Sequence, residues 1–217
     1  MDIKFNRARL APLMAEFLGT SVLVMMVLVL SQTTSVPYFI GTSAALALGV
    51  VYMMFSGVSG GHFNPAITIG VWVSRKITQN STVNAVAYIV AQVLGALASW
   101  QLYQYFVNQK LTAQPVKYSL PLLVAEAVGT FILALGFATA ASRAFGALES
   151  ALTYGFSLFV GIMVAATASA AFLNPAVALA QRGFNFNWVY VVGPLLGGII
   201  GIGLYNYLFG ASAKKRK

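Results

Sequence analysis

Apolar positions along this chain gather into six long runs set apart by short polar or charged breaks, near residues 10–31, 39–58, 83–107, 119–141, 149–168 and 188–210. A helix needs about 20 apolar residues to cross a hydrocarbon core of about 30 Å, and each run has that length. Two further apolar stretches are too short to cross. One, Asn64 to Ser74, ends against Arg75 and Lys76; the other, Asn174 to Gln181, ends at Arg182. A helix of about eleven residues reaches about 16 Å, half a bilayer. The pattern predicts an all-α membrane protein of six transmembrane helices plus two re-entrant half-helices. No long linker or low-complexity segment divides the runs, so residues 1–217 are expected to form one domain. The first run, Leu10 to Leu30, lacks an A-x-A-like cleavage site after it and is expected to be a mature span rather than a signal peptide.

Composition agrees with lipid as the solvent. The chain is 59% hydrophobic and only 8% charged, whereas a soluble domain keeps about 25% charged residues. There are no cysteines, which excludes disulfides. The net charge of +9 would suit a nucleic-acid partner, but four of the thirteen basic residues form the tail Lys214, Lys215, Arg216 and Lys217. That tail reads as an anchor near anionic lipid, not an RNA-binding segment. With six spans both termini share one side, together with the breaks after spans 2 and 4. That side collects Lys4, Arg7, Arg9, Arg75, Lys76, Arg143 and the tail; the other has Lys110, Lys117 and Arg182. This imbalance predicts cytoplasmic termini. Tyr103, Tyr105, Trp188, Tyr190, Tyr205 and Tyr207 near span ends are expected to form interfacial belts.

The chain repeats itself. Ala15-Glu16-Phe17-Leu18-Gly19-Thr20 recurs as Ala125-Glu126-Ala127-Val128-Gly129-Thr130, and Asn64-Pro65-Ala66 recurs as Asn174-Pro175-Ala176, both 110 residues on. Gln92-Val93-Leu94-Gly95 matches Pro194-Leu195-Leu196-Gly197 more loosely, 102 residues on. Repeat one covers about 10–107 and repeat two about 119–210. Each holds three spans, an odd number, so the second copy is inverted and the two half-helices enter from opposite sides. Their N-termini then meet near the midplane. Irregular backbone at that depth survives only inside protein or against a water-filled cavity, so the topology implies a pore.

Asn followed by Pro begins a helix well: Asn occupies the N-cap, and Pro at the first helical position wastes no N–H. Two such starts bring two positive helix ends together, with the amides of Asn64 and Asn174 free to donate to a passing solute. Ahead of each half-helix an extended segment is expected to turn carbonyls toward the pore. These belong to Gly60, Gly61 and His62 in the first copy, and to Ala170 and Phe172 within the glycine-free stretch Ser169 to Leu173 in the second. Glu16 and Glu126 are the acids within spans. An intramembrane carboxylate is a candidate for proton coupling, but their symmetrical placement beside small residues favours a structural role, accepting backbone N–H groups of the re-entrant loops. His62 reads as loop packing rather than a pH sensor. Gly95, Ala96, Gly129, Gly197, Gly198 and Gly201 suit close helix crossings, and Met25, Met26, Met53 and Met54 suit packing or lipid contact.

Taken together, Ser59-Gly60-Gly61-His62-Phe63-Asn64-Pro65-Ala66, the second Asn-Pro-Ala and both Ala-Glu-x-x-Gly-Thr segments resemble the aquaporin (major intrinsic protein) family over nearly the whole chain. The resemblance implies a right-handed bundle of six spans and two half-helices, usually a homotetramer in the plasma membrane with one pore per subunit, no cofactor or metal, and water or small neutral solutes as cargo. Family members usually carry Arg after the second Asn-Pro-Ala; here that place holds Val177. The other positions of the family's outer constriction fall on Ala44, Ile162 and Ala171, matching neither the Phe and His of water-selective members nor the Trp and Gly of glycerol-conducting ones. The aspartate common after the arginine in glycerol channels is replaced by Ala178. Arg182, about two helical turns beyond Asn174, is too displaced to stand in for the missing guanidinium. The resemblance thus implies a wide apolar mouth that admits bulkier solutes such as glycerol or larger polyols, or that hinders water by dewetting if Ile162 and Val177 close together.

Three function classes stay in play: a passive channel, a proton-coupled transporter using Glu16 and Glu126, and a junction protein with little flux. An enzyme is disfavoured, because there is no Cys, one His, and no carboxylate pair near a candidate nucleophile.

Overall fold

A computed structural model describes residues 7–74, 82–111, 117–182 and 187–210. Among the described residues eight helices follow in order: α1 (Arg7–Thr33), α2 (Pro37–Ser59), α3 (Pro65–Ser74), α4 (Thr82–Val107), α5 (Leu120–Ser142), α6 (Ala147–Ala165), α7 (Pro175–Arg182) and α8 (Val189–Leu208). Six are long and apolar enough to cross a membrane, and α3 and α7 are not. Lys4, Arg75, Lys76, the basic tail 214–217 and the side chain of Arg182 lie outside the described residues.

Helix limits follow from residue chemistry. Pro37 opens α2, and Ser119 caps α5 by accepting from the Leu122 N–H at 3.3 Å. At the start of α6 the Glu149 carboxylate accepts the Gly146 N–H at 3.0 Å. This helix ends at Ala165 rather than near residue 168 as expected. The N–H groups of Ala166, Thr167, Ala168 and Ser169 bond back to Ile162, Val164 and Ala165, so the apolar run goes on as tight turns.

Helix pairing carries the repeat into three dimensions. α1 packs on α2 and α4, and α5 packs on α6 and α8 in the same way, while α2 against α6 joins the halves. Each half-helix crosses over: α3 lies on α8 and α7 lies on α4. Two glycines set the closeness of matching crossings. A Cβ on Gly95 would stand 2.4 Å from the Phe17 carbonyl oxygen of α1, and one on Gly197 would stand 2.2 Å from the Ala127 carbonyl oxygen of α5. Neither position has room for a side chain.

The outside is apolar and the inside partly polar, the reverse of a soluble bundle. Leu46, Met54, Val83 and Phe106 are exposed, whereas Glu16, Gln92, Thr68, Glu126 and His62 are completely buried. The expected aromatic belt is only half present. Tyr105, Tyr207 and Trp188 are exposed, but Tyr103, Tyr190 and Tyr205 are buried. Tyr190 packs its ring 4.8 Å from that of Phe172, and Tyr103 and Tyr205 join the main core. Nearness to a span end does not say which side of the helix a ring occupies.

Candidate functional site

The two half-helices start at one place. The Asn64 side-chain oxygen accepts the Ala66 N–H at 2.8 Å, and that of Asn174 accepts the Ala176 N–H at 2.9 Å, so each Asn caps its own helix. The nitrogens reach across. Asn64 Nδ2 donates to the Leu173 carbonyl and Asn174 Nδ2 to the Phe63 carbonyl, both at 2.9 Å. One of the two amide N–H groups on each Asn is therefore committed to the opposite loop, and only the other is free to donate to a solute.

Each loop hangs on a carboxylate. Glu16 accepts from the Ser59 hydroxyl at 2.7 Å, the His62 N–H at 3.0 Å, the Phe63 N–H at 2.7 Å and Gln92 Nε2 at 2.8 Å. Glu126 accepts from the Ser169 hydroxyl at 2.6 Å, the Phe172 N–H at 3.0 Å and the Leu173 N–H at 2.8 Å. The serine hydroxyls also take the N–H groups of Gly61 and Ala171, at 3.1 and 2.7 Å. Ser59, Ser169 and Gln92 were missed as loop-holders; Ser59 and Ser169 also stand 110 residues apart, a signal that was available. Left-handed backbone occurs at matching places: Gly61 (φ 69°) and Phe63 (φ 50°), then Ala171 and Leu173 (both φ 53°).

A cavity of about 630 Å³ runs from the α1–α2 loop down to His62. Ala44, Ile162, Ala171 and Val177 all line it, as do Asn64 and Asn174. Ala170 and Phe172 line it too, with Ser169 beside them. Of the three first-loop carbonyl residues expected at the passage, His62 lines the cavity, whereas Gly60 and Gly61 are not among its lining residues. The His62 carbonyl accepts from the Tyr154 hydroxyl at 3.0 Å, and its ring packs edge-on against Tyr88 and Phe137. Its Nδ1 lies 3.1 Å from Thr68 Oγ1. Pro65, Ala66, Pro175 and Ala176 are buried at the half-helix starts. Neither Glu16 nor Glu126 is among the lining residues.

A sequence model described as Major intrinsic protein matches residues 4–205. The chain belongs to the major intrinsic protein family. It is 31% identical over 191 residues to Aquaporin PIP2-4 of Zea mays, covering 77% of this chain and 65% of that one. The chain thus spans just under two thirds of the length of that relative. Against Glycerol uptake facilitator protein-like 6 of Lactiplantibacillus plantarum it is 32% identical over 205 residues, covering 86% of this chain and 93% of the relative. In three dimensions it is similar to the aquaglyceroporin from Plasmodium falciparum, with a TM-score of 0.75 and 22% identity over 95% of this chain and 99% of that one. This likeness supports the fold: six spanning helices with two half-helices between them.

Proposed function

We propose that the chain is a passive transmembrane channel for water and small neutral solutes such as glycerol, with a wide apolar constriction. One observation carries the reading: Ala44, Ile162, Ala171 and Val177, spread over four elements, line a single cavity that continues to the paired asparagines. Four apolar walls offer no hydrogen bonds there, so passage is governed by bore rather than by matching polar groups. Further in, two helix N-termini and the uncommitted N–H of each Asn favour an acceptor oxygen and disfavour a cation. A water oxygen held that way breaks a proton-conducting chain. The carbonyls of His62, Ala170 and Phe172 serve as acceptors along the path. The relative named as a glycerol uptake facilitator, similar over 93% of its own length, supports the inclusion of glycerol.

On the same reading, residues 1–217 act as one channel domain, assembled as a homotetramer in the plasma membrane with both termini cytoplasmic. Placing Glu16 and Glu126 outside the cavity lining, each bound by its own loop, weighs against the proton-coupled alternative. Uphill accumulation under a pH gradient in vesicles would favour that alternative.

The test is Val177→Arg, which adds a planar cation with five donors opposite two alanines. The bore shrinks while hydrogen bonds become available, so glycerol flux falls more steeply than water flux. Parent and variant are compared at equal protein density by light scattering of shrinking and re-swelling proteoliposomes. If the ratio of glycerol to water permeability does not fall, Val177 does not line the constriction.

A further inference from the structure

The outer end of the cavity carries a single fixed charge among the described residues. Lys110, in the turn that follows α4, lines it together with Gln32 at the end of α1 and Thr34 and Ser35 of the α1–α2 loop. None of the other lining residues is a lysine, an arginine or an acid. The chain has only four acids. Glu16 and Glu126 are tied down inside the bundle, and Glu149 starts α6, at the opposite end of the molecule. Asp2 lies outside the described residues, ahead of the N-terminal end of α1. No carboxylate of the described chain faces Lys110 across the mouth.

The turn that presents this lysine is held on both sides. Asn108 takes a left-handed conformation (φ 50°), which reverses the chain at the end of α4. The Gln109 N–H donates to the Gln104 carbonyl at 3.3 Å, and the Leu111 N–H donates to the Gln104 side-chain oxygen at 2.9 Å. Leu111 also packs against the main core. Lys110 sits between two anchored neighbours and is itself exposed.

A charge at the rim of a narrow passage with apolar walls acts through a medium less polarisable than bulk water, and it biases which ions enter. Deeper in, position 177 holds valine and supplies no charge. We propose that Lys110 is a specificity-determining residue: it keeps the outer mouth at positive potential and turns small cations away before they reach the constriction, while neutral solutes pass. This rests on the channel reading.

The test begins with the potential itself, which needs no flux. Because the chain has no cysteine, Ser35→Cys places a unique thiol at the mouth. In purified, detergent-solubilised protein, its reaction rates are compared for a cationic and an anionic methanethiosulfonate of similar size. With each rate divided by that of the same reagent with a free thiol in solution, the anionic reagent should be favoured in the parent background. Adding Lys110→Glu should shift the rate ratio about tenfold toward the cationic reagent at low salt, and Lys110→Arg should leave it in place. The shift should shrink at 1 M salt, where the Debye length is about 3 Å. A shift of less than about twofold in Lys110→Glu overturns the proposal. The second arm compares urea with guanidinium, a neutral solute and a cation of like shape, in proteoliposomes. Lys110→Gln should raise the guanidinium-to-urea permeability ratio several-fold. A changed potential with an unchanged ratio also overturns the proposal. No urea or glycerol flux in the parent would instead sink the channel reading, whatever the thiol reports.

Discussion

The two re-entrant loops share one backbone course and hold it with different chemistry. In the first, Glu16, Gln92, Thr68 and His62 form a buried polar hub. Gln92 Nε2 bridges Glu16 and Thr68 at 2.8 and 2.9 Å, and Thr68 in turn donates to the Asn64 carbonyl at 3.1 Å. In the second loop the matching places hold Glu126, Pro194, Ala178 and Phe172. Only the carboxylate survives. Ala178 and Phe172 instead pack with Leu122, Val189 and Tyr190 in a small apolar cluster. The loops differ in strain as well: Gly61 takes its left-handed conformation freely, while Ala171 takes the same one with a Cβ. What cannot be exchanged, then, is an acceptor for the loop N–H groups. The surroundings can be polar or apolar, and the polar version is not fully satisfied, since the buried His62 Nε2 and Gln92 Oε1 have no hydrogen-bond partner.

Removing the carboxylates is the most forceful way to break this comparison. Glu16→Ala leaves four donors without an acceptor and Glu126→Ala leaves three. Each buried orphan costs about 1–3 kcal/mol. Both variants should lose most of their folded yield, Glu16→Ala the more severely, as followed by monodisperse yield and thermal midpoint in detergent. Equal or greater damage from Glu126→Ala would show that the polar hub adds nothing.

Gly61→Ala should come next, at about 2–4 kcal/mol. The new Cβ takes a disfavoured φ and would stand 2.7 Å from the Tyr52 ring. A denaturant titration that finds the variant as stable as the parent would remove glycine from the account.

Gln92→Leu keeps volume and deletes the bridge, leaving Glu16 with its three loop donors. A loss of about 1–2 kcal/mol is expected, with the water-to-glycerol permeability ratio unchanged because Gln92 does not line the cavity. A changed ratio would mean that the hub shapes the passage as well as supporting it.

The smallest effect has the opposite sign. Ala171→Gly relieves left-handed strain but loosens the unfolded chain, for a net gain of about 0.5–1 kcal/mol. A lowered thermal midpoint would show that contacts of the Ala171 methyl outweigh its strain.

Much of this molecule was decided by sequence alone, because lipid is an unforgiving solvent. Span number, half-helix length and the inverted repeat follow from run lengths and from two motifs in one register, since every spanning segment must close its own hydrogen bonds. The capping role of Asn64 and Asn174 and the anchoring role of Glu16 and Glu126 were legible for the same reason: a buried carboxylate or a helix start has few ways to be satisfied. Helix faces were less legible, and half of the expected aromatic belt turned out to be buried.

Tertiary structure decided the rest. The Asn64 amide finds the Leu173 carbonyl 109 residues away, and the Asn174 amide finds the Phe63 carbonyl 111 residues away. Gln92 meets Glu16 across the contact of α4 with α1. Ala44, Ile162, Ala171 and Val177 come together only because α2, α6, the second loop and α7 converge on one cavity. Lys110 reaches the mouth of that cavity because Gln104 pins its turn from both the backbone and the side chain. Periodicity reports which residues dislike water. It does not report which partner a polar atom finds, since that depends on where a second segment, distant along the chain, places its complementary atom.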